Sequence, residues 1–384
     1  MSASKNKSNT KSPIIYTGNI PSISAGDAVT SLAAMYISAI NSAADIASLP
    51  SVMMWGPPGV GKSDAVRQIA HKIERGTGKH VNVTDIRLLL FSPIDLRGIP
   101  TSDPGKTHTV WLRPQIFEMD PSDDVVNIIF LDEISAAPQT VQAAAYQITL
   151  NKTVGEHKLP DNCIIIAAGN RITDKSVAYK MPKALANRFL HLEVRPTYEA
   201  WREWAVQNGI NEKVIAFLAF KPDYLMKFDP SSDDLAFPTP RSWEMVSKRM
   251  NEMSDDVEEM FLIIAGLVGT GAAVEFRTWA KVFDKLPDIE SIFNGMRPPV
   301  PKRPDVLYAL VSSMARYAFE HRGDLGRIAN SIAYADLLPA DFSTVLMQDY
   351  MNIDEDYRSQ LMRIPEFVKW LRTKGRLLNG FDAG

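Results

Sequence analysis

Short, continuous apolar runs alternate with helix-like stretches in the first half of the chain. Five runs stand out, at SVMMW (51–55), IRLLL (86–90), VVNIIFL (125–131), CIIIAAG (163–169) and FLHLEV (189–194). Stretches with helical or loop character separate them, including residues 63–74 and 138–150. Strands that are apolar throughout and lie between helices are typical of a parallel sheet covered on both faces. The pattern therefore predicts an α/β fold with a doubly wound, parallel, five-stranded sheet.

The pattern changes after Pro196, where helical periodicity replaces the apolar runs. It is clearest at TYEAWREWAVQ (197–207), NEKVIAFLAF (211–220) and RSWEMVSKRM (241–250). Amphipathic stretches of this kind predict helices that bury one face against each other. We therefore expect an all-α region to follow the sheet.

Polar and proline-bearing segments set the expected domain boundaries. Residues 1–12 are polar and carry three lysines, and we expect them to form a disordered tail. The α/β domain then occupies residues 13–196. The proline-rich segment 286–305 divides the remainder into a helical lid at 197–303 and a helical C-terminal extension at 304–384.

Composition narrows the class of protein. The chain has 384 residues, 45% of them hydrophobic, and a formal net charge of -3, which fits a globular protein of two or three domains and argues against one that coats nucleic acid. Its six histidines show no metal-ligand spacing, and its single cysteine, Cys163, lies inside an apolar run, where a buried and inert thiol is expected. The polar N-terminus lacks the apolar core of a signal peptide, and no apolar run reaches membrane-spanning length. These features predict a cytoplasmic protein without a membrane span.

The stretch MWGPPGVGKSD, residues 54–64, joins the first apolar run to a helical segment. It matches the phosphate-binding pattern G-x-x-x-x-G-K-[ST]. Glycines let backbone N–H groups turn towards phosphate oxygens, and the helix that follows directs its positive end at them. Lys62 is expected to contact the β- and γ-phosphates and the Ser63 hydroxyl to ligate Mg²⁺. The sequence thus predicts a site for ATP and Mg²⁺, lined by Gly56, Pro57, Pro58, Gly59, Val60, Gly61, Lys62, Ser63 and Asp64.

Polar residues also follow two later apolar runs. Asp132 and Glu133 end the run VVNIIFLDE, and consecutive side chains of a strand point in opposite directions, so the two carboxylates can do different work. Asp132 is expected to hold Mg²⁺ through a water and Glu133 to act as general base on the attacking water. Asn170 ends the next run, and its amide can hydrogen-bond both the γ-phosphate and that water.

These segments together resemble the AAA+ ATPases and, within them, the MoxR family. Residues 132–170 are similar to the Walker B segment, its following helix, a hairpin and the sensor 1 asparagine of that family. LLLFSPIDLRGIP (88–100) resembles the entry to the helix-two insert, and MPKALANRF (181–189) resembles the segment that carries the arginine finger. FPTPRSWEMV (237–246) resembles the sensor 2 region, so the resemblance covers roughly residues 51–250.

The resemblance implies a homo-oligomeric ring, expected to be a hexamer, with ATP at each subunit boundary. It makes Arg188 the finger that reaches the γ-phosphate of a neighbouring subunit and Arg241 the sensor that acts within its own subunit. Guanidinium groups suit this task because phosphoryl transfer spreads negative charge over the phosphate oxygens. The sequence departs from the family at Asn187, where an aspartate is usual, and Arg171 directly follows the sensor asparagine, so Arg171 is an alternative finger.

The same resemblance bears on partners. The hairpin at 150–162 and the insert at 93–115 would face the pore or one side of the ring and could grip a client. Relatives in this family act as chaperone-like factors on proteins that carry a von Willebrand factor A domain, which makes such a protein the expected partner. The alternatives are a nucleic-acid motor or restriction-type translocase, disfavoured by the weakly acidic composition, and a nucleotide-switched scaffold without hydrolysis, disfavoured by Lys62 and Glu133.

Overall fold

A computed structural model of the chain describes residues 20–375 apart from positions 43, 45, 172–180, 182 and 230. The tail expected at residues 1–12 lies outside these described residues. The described residues divide into two compact units. The α/β unit comprises residues up to Arg195 together with residues 231–232, and the helical unit comprises the rest.

The α/β unit contains the strands and the first helices of the chain. Its strands are β1 (Ser22–Ile23), β2 (Val52–Trp55), β3 (His80–Arg87), β4 (Ile99–Ser102), β5 (Thr109–Leu112), β6 (Val125–Asp132), β7 (Thr153–Val154), β8 (His157–Lys158), β9 (Cys163–Gly169) and β10 (Leu190–Val194). Its helices are α1 (Ala25–Asn41), α2 (Lys62–Thr77), α3 (Pro93–Arg97), α4 (Gln139–Asn151) and α5 (Lys183–Ala186).

A parallel sheet with strand order β1-β10-β2-β9-β6-β3 forms the centre of this unit. It confirms the predicted α/β fold with a parallel sheet. The sheet has six strands rather than the expected five, because the two-residue strand β1 pairs with β10 at one edge. A strand of two residues is too short to produce an apolar run in the sequence.

The strand at the opposite edge was predicted at the wrong residues. The apolar run at 86–90 suggested a strand, but β3 ends at Arg87 and Leu88–Leu90 form a short 3₁₀-helix. Of the eight residues of β3, Ile86 alone is buried. An edge strand with one solvated side has a polar, alternating sequence, which a search for continuous apolar runs passes over.

Apolar burial holds the central strands and helix α2 together. All seven residues of β9 are buried, as are the first seven of β6. Helix α2 begins after Gly61 and ends at Gly78, both in left-handed conformation, and packs Val66, Ile69 and Ile73 into the core. Each such side chain contributes roughly 1.5–3 kcal/mol when fully buried. The loop between β2 and α2 is therefore anchored at both ends by rigid elements.

Among the described residues of the helical unit, the regular elements are helices and none is a strand. They are α6 (Tyr198–Gln207), α7 (Glu212–Phe220), α8 (Pro240–Glu252), α9 (Phe261–Val268), α10 (Thr270–Ala280), α11 (Ile289–Phe293), α12 (Pro304–Glu320), α13 (Leu325–Ala335), α14 (Ala340–Met351), α15 (Glu355–Leu361) and α16 (Pro365–Lys374).

One apolar core runs through the helical unit. It includes Phe217 and Trp243 from the region expected to be the lid, and Tyr350 and Trp370 from the expected C-terminal extension. Residues on both sides of position 303 therefore contribute to the same core. Among the described residues, no helix is both long enough and apolar enough to cross a bilayer.

Candidate functional site

The carboxyl ends of β2, β6 and β9 meet at one edge of the sheet. Trp55 at the end of β2 lies opposite Gly169 at the end of β9, and Leu131 of β6 lies opposite Ala167. The loop that follows β2, the acids that end β6 and Asn170 after β9 are consequently brought to the same place. Ligands of parallel α/β sheets bind at this edge.

The backbone of the loop after β2 depends on its glycines. A Cβ at Gly56 would lie 2.5 Å from the carbonyl oxygen of Val194, so only glycine fits there without a shift of the backbone. Gly59 and Gly61 have φ values of 79° and 93°, a left-handed region that other residues rarely adopt. No side chain caps the start of α2 at Gly61. The first N–H groups of α2 can therefore donate to an anion.

Lys62 lies at the centre of this loop with its side chain buried. Its Nζ donates hydrogen bonds to the carbonyl oxygens of Gly56 at 2.6 Å and Pro57 at 2.9 Å, and to Oδ1 of Asn170 at 3.1 Å. Asn170 is fixed in turn by its backbone N–H, which donates to Oγ of Ser135 at 2.9 Å. Lys62 and Asn170, predicted from separate motifs, are thus brought into contact. The contact of Ser135 with Asn170 was not predicted from the sequence.

Ser63 and Asp132 form the second contact of the site. The Ser63 hydroxyl donates to Oδ2 of Asp132 at 2.9 Å. Hydroxyl and carboxylate oxygens are the ligand types that Mg²⁺ prefers, and two of them side by side next to a phosphate-binding loop fit a Mg²⁺·nucleotide. The residues predicted to hold the metal are therefore placed together.

Glu133 has an unusual backbone conformation. It lies one residue beyond the end of β6 with φ at 59°, and its N–H donates to Oδ1 of Asp132 at 2.9 Å. The expectation that the two acids are neighbours on a strand is wrong, because Glu133 lies in the turn after β6. A left-handed non-glycine residue costs about 1–3 kcal/mol, and such strain is concentrated at functional sites. The turn leaves the Glu133 side chain exposed beside the loop.

The remaining predicted loop residues have varied surroundings. Val60 is buried, whereas Pro57 and Pro58 are half-buried. The Asp64 carboxylate accepts a hydrogen bond from Nε2 of Gln68 at 2.8 Å and lies 3.6 Å from Nε of Arg67. The described contacts of the Asp64 side chain are thus with its own helix.

Arg171 lies at the same edge of the sheet as the loop. Its Nη1 is 2.7 Å from Oε1 of Glu193, a buried carboxylate that also lies 3.0 Å from Nη2 of Arg195. Sequence reasoning missed Glu193. The signal available was a single acid inside the otherwise apolar run FLHLEV, since a buried acid needs a cationic partner.

Arg188 lies at the amino ends of the strands, opposite the carboxyl ends where the loop lies. It precedes β10, whose first residue, Leu190, pairs with Val52, the first residue of β2. The four residues of β2, about 13 Å of strand, therefore separate the level of Arg188 from that of Gly56. Arg188 is exposed and lines a cavity of about 440 Å³ beside Lys152 and Lys158.

Arg241 belongs to the helical unit. It is the second residue of α8, after Pro240, and the Thr239 side chain caps this helix by accepting from the N–H of Ser242 at 3.0 Å. The Arg241 side chain is exposed.

The predicted hairpin and the predicted insert are two separate two-stranded sheets that contact each other. The Trp111 N–H of β5 donates to Oε1 of Glu156 at 3.0 Å, and Nε2 of His157 lies 2.6 Å from the Trp111 carbonyl oxygen. A Cβ at Gly155 would lie 2.6 Å from the carbonyl oxygen of Arg97. The tip of the β7-β8 hairpin therefore packs directly against the insert.

Cys163 is buried within β9, and burial raises the pKa of its thiol to about 12. A thiol with this pKa stays protonated at neutral pH, and the thiolate is the reactive form. The structure therefore confirms that Cys163 is buried, and its raised pKa agrees with the expected inert thiol.

Comparison with known proteins gives a family for part of the chain. Residues 51–191, a little over a third of it, match the family model described as ATPase family associated with various cellular activities (AAA). This segment contains the loop, the acids after β6, Asn170, Arg171 and Arg188. No match was found among curated protein sequences.

Similarity to solved structures is distant. A protein from Cytophaga hutchinsonii, assigned as an ATPase, shares 14% identity at a TM-score of 0.32, with 90% of this chain and 93% of that chain covered. A mutant form of Thermotoga maritima RuvB shares 15% at 0.30, covering 75% and 82%. A chain of the E. coli MS115-1 HORMA:CdnC:Trip13 complex shares 14% at 0.35, covering 68% and 87%. The superpositions are poor at these scores, and the fold rests on the strand order described above.

Proposed function

We propose that this chain, whose residues 51–191 carry an AAA-family ATPase domain, hydrolyses ATP at the boundaries between copies of itself in a ring. The observation that carries the proposal is the placement of Arg188. It lies at the amino edge of the sheet, whereas the phosphate-binding loop lies at the carboxyl edge. About 13 Å of strand separates the two levels, roughly twice the reach of an arginine side chain. Arg188 can therefore serve a neighbouring copy but not its own loop.

The residues at the carboxyl edge supply the rest of the chemistry. ATP with Mg²⁺ brings the bond to be broken and a cation that neutralises phosphate charge. Lys62 and the first N–H groups of α2 would hold the phosphate oxygens, Ser63 would ligate the cation, and Asp132 would hold it through a water. Glu133 accepts a proton from the attacking water as general base. Asn170, held by Lys62 and Ser135, orients that water.

The contacts of the two candidate arginines favour Arg188 over Arg171 as the arginine finger that reaches a neighbouring subunit. Arg171 lies at the edge of its own loop and pairs with the buried carboxylate of Glu193. Reaching a neighbouring copy would break this pair and deprive a buried carboxylate of one of its cationic partners. In the part of the chain that the structure describes, no carboxylate lies within 4.0 Å of Arg188. Arg241, exposed near the start of α8, is proposed as the sensor that acts within its own subunit.

The work that hydrolysis drives is proposed from the family resemblance. We assign the chain to the MoxR branch of the AAA+ ATPases, as a hexameric, cytoplasmic remodelling factor for a protein with a von Willebrand factor A domain. The joined hairpin and insert support a gripping role, since the insert presents exposed apolar side chains such as Ile94, Ile99 and Leu112. A nucleic-acid motor is the alternative, and duplex or single-stranded DNA would stimulate turnover in that case but not in a protein remodeller.

The test of the ATPase proposal is ATP turnover measured against protein concentration. The wild type should show turnover that rises cooperatively with concentration as rings assemble. Glu133→Gln should bind ATP but lose turnover, and Arg188→Ala should do the same, with a loss of about 10³-fold or more, as is typical of arginine fingers. Arg171→Ala is the matched control and should retain turnover. Turnover independent of concentration and of Arg188 would mean that the site is complete within one subunit, which contradicts the proposal.

A further inference from the structure

A hydrogen-bonded side chain bridges Trp55, the last residue of β2, and the turn that carries Arg188. His191 of β10 lies between Trp55, the residue directly before the loop, and Ala186, two residues before Arg188. Nε1 of Trp55 is 2.9 Å from Nδ1 of His191, and Nε2 of His191 is 2.7 Å from the carbonyl oxygen of Ala186. The rings of Trp55 and His191 lie nearly parallel, at 22°.

The hydrogen-bond partners of His191 determine which of its ring nitrogens carries the proton. An indole N–H can only donate, so Nδ1 of His191 must accept from Trp55. The proton of the neutral ring is then on Nε2, which donates to the carbonyl oxygen of Ala186. The same carbonyl oxygen also accepts from the N–H of Phe189 at 3.2 Å, which closes the turn around Asn187 and Arg188. The bridge therefore acts on the short segment that presents Arg188.

We propose that His191 is a positioning residue for Arg188, which holds the Arg188 turn in a fixed place relative to the strand that ends at the phosphate-binding loop. This inference rests on the proposed role of Arg188 at a neighbouring copy. Arg188 has to meet a phosphate that another subunit binds, so any drift of its turn lowers the rate directly. A misplacement of about 1 Å can cost a factor of 10² in rate. His191 touches neither nucleotide nor water in this scheme and acts only through the turn.

Two amide substitutions separate the halves of the bridge. His191→Gln keeps an N–H near the position of Nε2 and can still donate to Ala186. His191→Asn keeps an oxygen near the position of Nδ1, so it can accept from Trp55 but cannot reach Ala186. We expect His191→Asn to lower kcat about tenfold, equivalent to about 1.4 kcal/mol, with the Kd for ATP unchanged. His191→Gln should stay within about threefold of the wild type. Equal losses in both variants, accompanied by a lowered Tm, would make His191 a structural residue and overturn the inference.

Rings assembled from two kinds of subunit test whether His191→Asn lowers turnover at the nucleotide site of the neighbouring subunit. A Glu133→Gln subunit cannot hydrolyse its own ATP but retains an intact Arg188 turn. Co-purified with His191→Asn subunits, it should raise turnover above the sum of the two separate proteins, since it supplies a well-placed Arg188 to intact sites. Arg188→Ala mixed with Glu133→Gln is the reference and should also show a gain, which is larger relative to the separate proteins because Arg188→Ala alone retains less turnover.

The two mixtures also distinguish the possible failures. A gain with Arg188→Ala but none with His191→Asn would mean that His191 acts on its own nucleotide site through Trp55, which overturns this inference and leaves the proposed function intact. No gain in either mixture would mean that Arg188 does not act between subunits, and both proposals would then be wrong.

Discussion

A buried ion pair in the helical unit joins helices α6 and α14, and substitutions of it test how much the pair stabilises this unit. Arg202 of α6 and Asp349 of α14 are 7% and 2% exposed. Nε of Arg202 donates to Oδ1 of Asp349 at 2.8 Å, and Nη2 of Arg202 donates to Oδ2. Burial alone would lower the pKa of Arg202, but the charge of Asp349, its hydrogen bonds and the contact with Tyr198 together outweigh burial and raise this pKa above its ordinary value.

We expect Asp349→Ala to lower the free energy of unfolding of the helical unit by about 3–5 kcal/mol, because it leaves a buried guanidinium without its counter-charge. Arg202→Met should cost a similar amount, since it leaves the carboxylate alone. The double variant Arg202→Met/Asp349→Ala removes both charges and should lose much less than the sum of the two single losses. The pair would then show a coupling energy of several kcal/mol in a double-mutant cycle.

Urea unfolding followed by tryptophan fluorescence is the suitable assay. Five of the seven tryptophans belong to the helical unit, so this signal reports mainly on it; they are Trp201, Trp204, Trp243, Trp279 and Trp370. Far-UV circular dichroism of the same samples reports on the helices of both units, so a transition that does not coincide with the fluorescence transition shows that the units unfold separately. A loss below 1 kcal/mol for Asp349→Ala, or a double variant that equals the sum of the single ones, would refute the reasoning, because the charges would then be solvated rather than buried.

Three further variants test other parts of the molecule. Gly56→Ala places a Cβ 2.5 Å from the carbonyl oxygen of Val194, so we expect a lower Tm and weaker nucleotide binding; an unchanged Tm in a thermal scan would show that the backbone accommodates it. Asp132→Asn should raise the Mg²⁺ concentration that half-maximal turnover needs, with Mg²⁺-free nucleotide binding unchanged, and a Mg²⁺ titration measures this. Burial, followed by the charge of Asp255, raises the pKa of Glu212 from 4.5 to about 7, so the native state loses stability as the pH rises through this range. Glu212→Gln should therefore be more stable than the wild type at pH 8, by up to about 3 kcal/mol, and equally stable at pH 4 in urea unfolding.

The fold class and the backbone conformation of the loop could be predicted because their signals are local in sequence. Buried central strands are apolar along their whole length, which is why β6 and β9 could be identified. The phosphate-binding loop is a contiguous stretch whose glycines are required by its own backbone conformation, as Gly59 and Gly61 show. Edge strands carry no such signal, and for this reason β1 was missed and β3 was placed several residues too late.

Contacts between residues distant in sequence were decided by the tertiary structure alone. Glu193 pairs with Arg171 and His191 joins Trp55 to Ala186 only because β10 lies beside β2, an order that no local pattern encodes. The same strand order puts Arg171 beside the loop, at the carboxyl ends of the strands, and Arg188 at their amino ends. The sequence by itself determined which residues could carry phosphate chemistry, because composition and spacing report chemistry and burial. Only the packed sheet decided which of the two arginines faces away from its own site, because the register of neighbouring strands depends on the whole unit.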